Sequence, residues 1–131
     1  MTAGFKAMEL FDRDAVLRLN TLTAKAISQI KEVISLLDVP VCITGAGSMF
    51  RFHLMPDAPT TYREAYQTIE VRTLINELLD FLYFNENILM VNTFTCMFST
   101  VTTQNEIDKL TDGLFRAFKA LKPKLEELQK K

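Results

Sequence analysis

The sequence predicts an α+β fold: a small antiparallel sheet of three to four strands with long helices packed on one face. Three observations lead there. Apolar residues recur at steps of three and four over long segments, which is the period of a helix with one buried side. Between these segments the period drops to two across β-branched and aromatic residues around a glycine turn. And 131 residues, 48% of them hydrophobic, supply one core and not two, so residues 1–131 are read as a single domain.

Each element has its own signal. Residues 2–11 read as a short helix with Phe5, Met8 and Leu10 or Phe11 on an apolar stripe. Asp12 is placed to cap a longer helix, with Asp14 in its first turn favouring the positive end of the dipole. Val16, Leu19, Leu22, Ala26, Ile30, Val33 and Leu37 form its stripe, and Asp38-Val39-Pro40 ends it, because proline biases its predecessor away from helical geometry. Val41–Thr44 reads as a strand, Gly45-Ala46-Gly47 as the turn, and Ser48–Leu54 as the returning strand. Phe50, Phe52 and Leu54 share one face of that strand and Met49, Arg51 and His53 the other. Thr61 and Glu64 have capping-box spacing, so a helix is expected there, broken near Gln67 and carried on by Val71, Leu74, Leu78 and Leu82 to about Tyr83. Asn85-Glu86-Asn87 reads as a turn, Ile88–Val91 as a third strand, and Cys96–Thr100 as a fourth after an irregular Asn92-Thr93-Phe94-Thr95. Thr103 and Glu106 repeat the capping box before a last helix bearing Ile107, Leu110, Leu114, Phe118 and Leu121. Pro123 is expected to break it and leave the lysine-rich end as a solvated extension. Phe50, Phe52, Leu54, Ile30, Leu78, Leu114 and Phe118 are the expected core.

The charge balance narrows function. Fifteen basic and sixteen acidic residues give a net charge of −1 with no basic cluster, which argues against nucleic acid as a partner. No apolar run reaches membrane-spanning length, and the N-terminal residues lack a charged segment followed by an apolar one; a cytoplasmic protein is expected. Cys42 and Cys96 stand in apolar strand-like segments and read as buried thiols. His53, the only histidine, has no second histidine and no cysteine at ligand spacing; it reads as a partly exposed or hydrogen-bonded imidazole and not as a metal ligand. Glu126-Glu127 sits among lysines as a solvated face, and Gly45-Ala46-Gly47 lacks the third glycine and helix of a phosphate cradle. All nine lysines fall on helices or in the tail. The residues therefore present no complete catalytic centre. In Phe81-Leu82-Tyr83-Phe84, four consecutive apolar or aromatic residues cannot all face one side of a helix, so some must meet solvent or a partner.

Several stretches taken in order resemble the C-terminal small domain of class III, fold-type-I aminotransferases, which use pyridoxal phosphate, closest to the glutamate-1-semialdehyde 2,1-aminomutase group. They are Arg18-Leu19-Asn20, Val39-Pro40-Val41, Thr44-Gly45-Ala46-Gly47-Ser48-Met49-Phe50, Tyr62-Arg63-Glu64-Ala65, Phe98-Ser99-Thr100 and Glu106-Ile107-Asp108. Thr2–Leu10 resembles the helix that closes the family's large domain. The resemblance covers nearly the whole chain.

The resemblance implies a division of labour. In the family the Schiff-base lysine, the ring-stacking aromatic, the aspartate at the pyridine nitrogen and most phosphate contacts lie in the large domain, which precedes the segment matched here. Pyridoxal phosphate is thus implied for a parent enzyme and not for this domain alone, whose implied role is to cover the cofactor cleft and shape the substrate pocket. Asn92, Phe94 and Thr95 are the implied substrate-side residues, the large catalytic domain is the implied partner, and a homodimer or other self-association is expected. Two positions depart from the family. Thr95 stands where aminomutases carry glutamate and many transaminases arginine, and Val101-Thr102-Thr103 replaces an alanine-histidine-threonine. The competing reading is a stand-alone α+β binding or regulatory module that associates through the sheet face bearing Met49, Arg51 and His53.

Overall fold

The computed structural model describes residues 1–130, in the order α1 (Thr2–Leu10), α2 (Arg13–Leu37), β1 (Cys42–Ala46), β2 (Met49–His53), α3 (Ile69–Glu86), β3 (Thr95–Met97) and α4 (Gln104–Leu128). The strands form one antiparallel sheet in the order β1-β2-β3, with helices against one face. This is the expected α+β architecture. No described helix is long and apolar enough to cross a membrane.

Local chemistry sets the helix limits. The Asp12 carboxylate accepts from the Ala15 amide at 2.8 Å and starts α2. Asp38 ends it in the left-handed region, φ 48°, while the Val39 amide reaches back to the Ile34 carbonyl at 3.3 Å, the long bond of a Schellman closure. α4 opens on the expected Thr103–Glu106 capping box, in which the Glu106 carboxylate takes the Thr103 amide at 2.7 Å. The Thr61–Glu64 box also forms, with both bonds at 3.3 Å, but it closes one isolated turn. The break near Gln67 is complete, and α3 starts from a second cap, the Thr68 hydroxyl accepting from Val71.

The hairpin turn lies slightly later than expected. β1 runs on through Gly45 and Ala46, and the two-residue loop is Gly47-Ser48. Gly47 has φ +60°, the left-handed value a tight hairpin loop favours at its first position. Gly45 is needed for a different reason: a Cβ there meets the Met49 carbonyl and Phe50 across the ladder.

Two expectations fail for physical reasons. Ile88–Val91 is not a strand. The Ile88 amide is committed to the Leu82 carbonyl at the end of α3, and the Ile88 side chain seats over Gly113 of α4, where a Cβ would lie 2.7 Å from it. Only Val91 bridges to Thr95. The sheet therefore has three strands, and the fourth element is the short β3. Pro123 does not stop α4, which continues to Leu128. Proline in a helix costs about 3 kcal/mol, but Leu125 beyond it is fully buried, which contributes about 1.5–3 kcal/mol. Three polar bonds also hold this end: Lys122 Nζ to the Leu37 carbonyl, Lys124 to Glu77 and Gln129 to the Leu54 carbonyl.

All seven residues expected in the core lie in one cluster, with Phe50, Phe52 and Phe118 essentially sealed. α1 contrasts with this, since none of its residues is buried and Phe5, Met8 and Leu10 are exposed. Phe52→Ala is expected to cost about 3–5 kcal/mol in urea unfolding. Leu125→Ala should cost about 2–5 kcal/mol, and a loss near zero would mean that the turns after Pro123 are not part of the cooperative unit.

Candidate functional site

Directly paired residues of antiparallel strands point to the same side, so the register sorts the sheet into two faces. Ile43, Phe50, Phe52 and Cys96 face the helices. The outer face carries three rows: Cys42 with His53, Thr44 with Arg51 and Thr95, and Ala46 with Met49 and Met97. Burial grades along it. His53 is buried, the middle row is half-buried, and Met49 and Met97 stand 51% and 57% exposed. A shallow hollow of about 400 Å³ lies over the middle and open rows, lined by Thr44, Ala46, Met49, Arg51 and Thr95 among others.

The three residues implied at the substrate side are separated by role. Asn92 is exposed in the turn before β3, and Thr95 is half-buried on the outer face, its hydroxyl 2.9 Å from that of Thr93. Phe94 points the other way: its ring is fully buried, 4.7 Å from the Phe52 centroid and 6.4 Å from that of Phe118. It adopts φ +59°, and its carbonyl accepts from the Phe52 amide at 3.0 Å. The left-handed backbone at Phe94 is what lets the ring enter the core while Thr95 turns to the outer face.

His53 is a hydrogen-bonded imidazole, as expected, with Nε2 2.7 Å from the Thr44 hydroxyl. Burial, and secondly the charge of Arg51, hold its pKa below the ordinary 6.5, so the ring is neutral at pH 7. The surroundings of both thiols favour the protonated form. Burial pushes Cys96 up to about 11, and burial with the charge of Asp57 raises Cys42. Both are free; they lie on the two outer strands, separated by β2 and on opposite faces. Among the described residues no three His, Cys, Asp or Glu side chains gather to hold a metal ion.

Pyridoxal phosphate needs a desolvated lysine nucleophile, a carboxylate for the ring nitrogen and a phosphate cradle. The described residues do not fit it. Seven of the described lysines are exposed, and the half-buried Lys122 donates to the Leu37 carbonyl and meets Glu126 at 3.6 Å. No step through that cofactor can be assigned to these residues.

Sequence reasoning missed one grouping. Arg51, Tyr62, Ala65, Tyr66, Gln67 and Arg72 line a hollow of about 190 Å³ that meets the sheet at Arg51 of the middle row. Its members come from β2, the isolated turn, the short stretch that follows it and α3. Thr61 and Glu64 signalled the start of a helix, but no local pattern signalled where the single turn that forms there docks.

No protein-family model matches the chain, and no curated protein matches it. Solved structures do. An omega-transaminase from Sphaerobacter thermophilus is 25% identical with a TM-score of 0.82, over 88% of this chain and 26% of that one. A transaminase with PLP bound is 20% identical with a TM-score of 0.71, over 95% and 27%. A glutamate-1-semialdehyde-aminomutase from Pseudomonas aeruginosa PAO1, in complex with PMP, is 17% identical with a TM-score of 0.72, over 82% and 23%. At the lower identities the likeness is one of fold. The chain spans about a quarter of the length of the structures it matches.

The depressed His53 pKa has a signed consequence. Below pH 6.5 the unfolded chain takes up a proton that the folded chain refuses, so this residue's contribution is full above pH 6.5 and declines as pH falls from there through the folded pKa. His53→Gln should flatten that part of the stability–pH curve measured by thermal unfolding. An unchanged slope between pH 5 and 7 would remove His53 as its source.

Proposed function

We propose that this chain acts as the C-terminal small domain of a class III aminotransferase or aminomutase, of the glutamate-1-semialdehyde aminomutase type, that uses pyridoxal phosphate. Its role is to cover the cofactor cleft and shape the substrate pocket. The observation that carries the reading is the match to the omega-transaminase, TM-score 0.82 over 88% of this chain but only 26% of the other. The lysine distribution supports it from another direction: a domain whose described lysines are exposed, apart from Lys122 held on a carbonyl, serves such chemistry only if the nucleophile comes from elsewhere. The large catalytic domain is the proposed partner, and α1, which buries none of its own residues, is the segment proposed to belong to that domain.

The turn before β3 is the proposed substrate-side element. Asn92 and Thr95 face outward, and Phe94 fixes them by anchoring the turn in the core. Thr95 offers a hydroxyl where a charged side chain would select substrates by charge, so this domain contributes hydrogen bonding and shape at that point and not an ionic clamp. The exposed Met49–Met97 row and the Tyr83–Phe84 pair, with Phe84 74% exposed, are the apolar surfaces proposed to meet the catalytic domain or a second copy.

Three measurements test this. Replacing the corresponding segment of the Sphaerobacter omega-transaminase with this chain should give a soluble chimera that transaminates. A chimera that folds and takes up cofactor yet turns over no amino donor or semialdehyde counts against the reading. Treating the chain alone with pyridoxal phosphate and borohydride should scatter substoichiometric adducts over several lysines by mass spectrometry; one stoichiometric lysine would place the nucleophile within this chain. Sedimentation should show self-association that weakens in Met97→Asp, and a strictly monomeric wild type would remove the open row as an interface between copies.

A further inference from the structure

We propose that the hollow lined by Arg51, the residues of the 62–67 segment and Arg72 is a binding site for a small oxyanion, a carboxylate or phosphate group held between the guanidinium groups of Arg51 and Arg72. The inference needs only this chain's residues and does not depend on the aminotransferase reading.

The starting point is an unpaired donor. A guanidinium carries five N–H donors in a planar fork that matches a carboxylate or phosphate. Arg51 Nε is buried and has no hydrogen-bond partner. Its row neighbours are Thr44 and Thr95, and both hydroxyls are engaged elsewhere, with His53 and Thr93 respectively. Buried donors on charged groups are rarely left unsatisfied, so this geometry points to an acceptor from outside the chain.

A second cation shares the hollow. Arg72 lies in the first turn of α3, where the positive helix end adds to its charge, and its guanidinium stands 6.0 Å from the Tyr66 ring centroid. Neither arginine belongs to the ion pairs among the described residues, which engage Lys6, Arg116, Lys122 and Lys124. The Glu64 carboxylate is not available to them, since it accepts from Thr60 and Thr61. Its lowered pKa records those bonds. Tyr62, Tyr66 and Gln67 add neutral donors at the wall. At about 190 Å³ the hollow is below the range of drug-sized ligand pockets. It suits a phosphate or a short carboxylic acid and is too small for a nucleotide.

The test is a titration of the 15N-labelled chain at low ionic strength, with inorganic phosphate in one arm and succinate in the other, following the Arg51 Nε–Hε resonance. The expected result is a saturable one-to-one shift, with the better-binding arm identifying the preferred oxyanion. Affinity should weaken about tenfold or more in Arg51→Lys, which keeps the charge and loses the fork, and in Arg72→Gln, whose exposed position leaves the fold intact. A resonance unmoved by both anions at tens of millimolar overturns the proposal. So does an equal shift with chloride, or a response undiminished in Arg72→Gln. A shift that follows protein concentration and not added anion also overturns it, because the acceptor is then a second copy's carboxylate.

Discussion

The arrangement of both faces of the sheet depends on one buried contact, the stacking of Phe94 on Phe52 and, through it, on Phe118 of α4. Phe94 adopts a left-handed backbone that a bulky L-residue reaches only at a cost of about 1–2 kcal/mol. Full burial of an aromatic side chain contributes about 1.5–3 kcal/mol, enough to hold the ring where it is. With the ring fixed, the Phe94 carbonyl lines up with the Phe52 amide, β3 pairs with β2 in a single register, and Thr95 comes to lie opposite Arg51. A one-residue slip would exchange the two faces of β3, placing Cys96 on the outer side and Thr95 in the core. The composition of the outer face therefore follows from a contact on the inner one.

That outer face is chemically uneven along its length. At one end His53 is buried, neutral and bonded to Thr44, next to a guanidinium whose charge helps to keep the ring unprotonated. At the other end Met49 and Met97 are open to solvent. A charged middle row beside a closed end and an open, apolar end on one small sheet suit two different kinds of contact. Anions are favoured where the cations lie unpaired, and broad packing is favoured where the methionines stand out, because flexible thioethers adapt to irregular surfaces.

Much of the frame was legible because it rests on local signals. Asp12, Thr103–Glu106 and the alternation of Phe50 and Phe52 each act within a few residues, and each does in the structure what its pattern predicts. The misreadings arise where a distant partner decides. Ile88–Val91 is a short apolar run that reads as a strand, but Ile88 is drawn to Gly113 on α4, and a lone glycine in a helix gives no sign of what it will admit. Pro123 is a local stop signal overridden by the burial of Leu125 and by bonds to Leu37 and Glu77, residues of α2 and α3. The Thr61–Glu64 box is real chemistry without a helix to follow it, because the residues after it carry no apolar stripe until Val71. The site was legible only in part. Thr95 and Asn92 could be named from a resemblance. That Arg51 and Arg72 line one hollow brings a strand and a helix together around a loop, and no spacing in the sequence encodes that.

What this chain can contribute chemically follows from where its reactive groups have been put. Burial favours the protonated thiols, the imidazole is neutral and engaged, and the described lysines are exposed apart from Lys122, which donates to a carbonyl. None is both activated and presented to a cavity, which is what nucleophilic or acid–base work requires. The groups that are presented, Thr95, Asn92 and the two arginines, are suited to binding and orientation. Orientation of a bound group needs rigid supports, and here the supports are the sealed aromatic cluster and the Glu86–Arg116 pair, whose two hydrogen bonds tie the end of α3 to α4. On the function proposed above, a domain built this way would act by apposition. It would supply a firm polar wall to chemistry whose reacting groups stand on another body, and its effect on a reaction would be felt in which substrate is held and how well water is excluded.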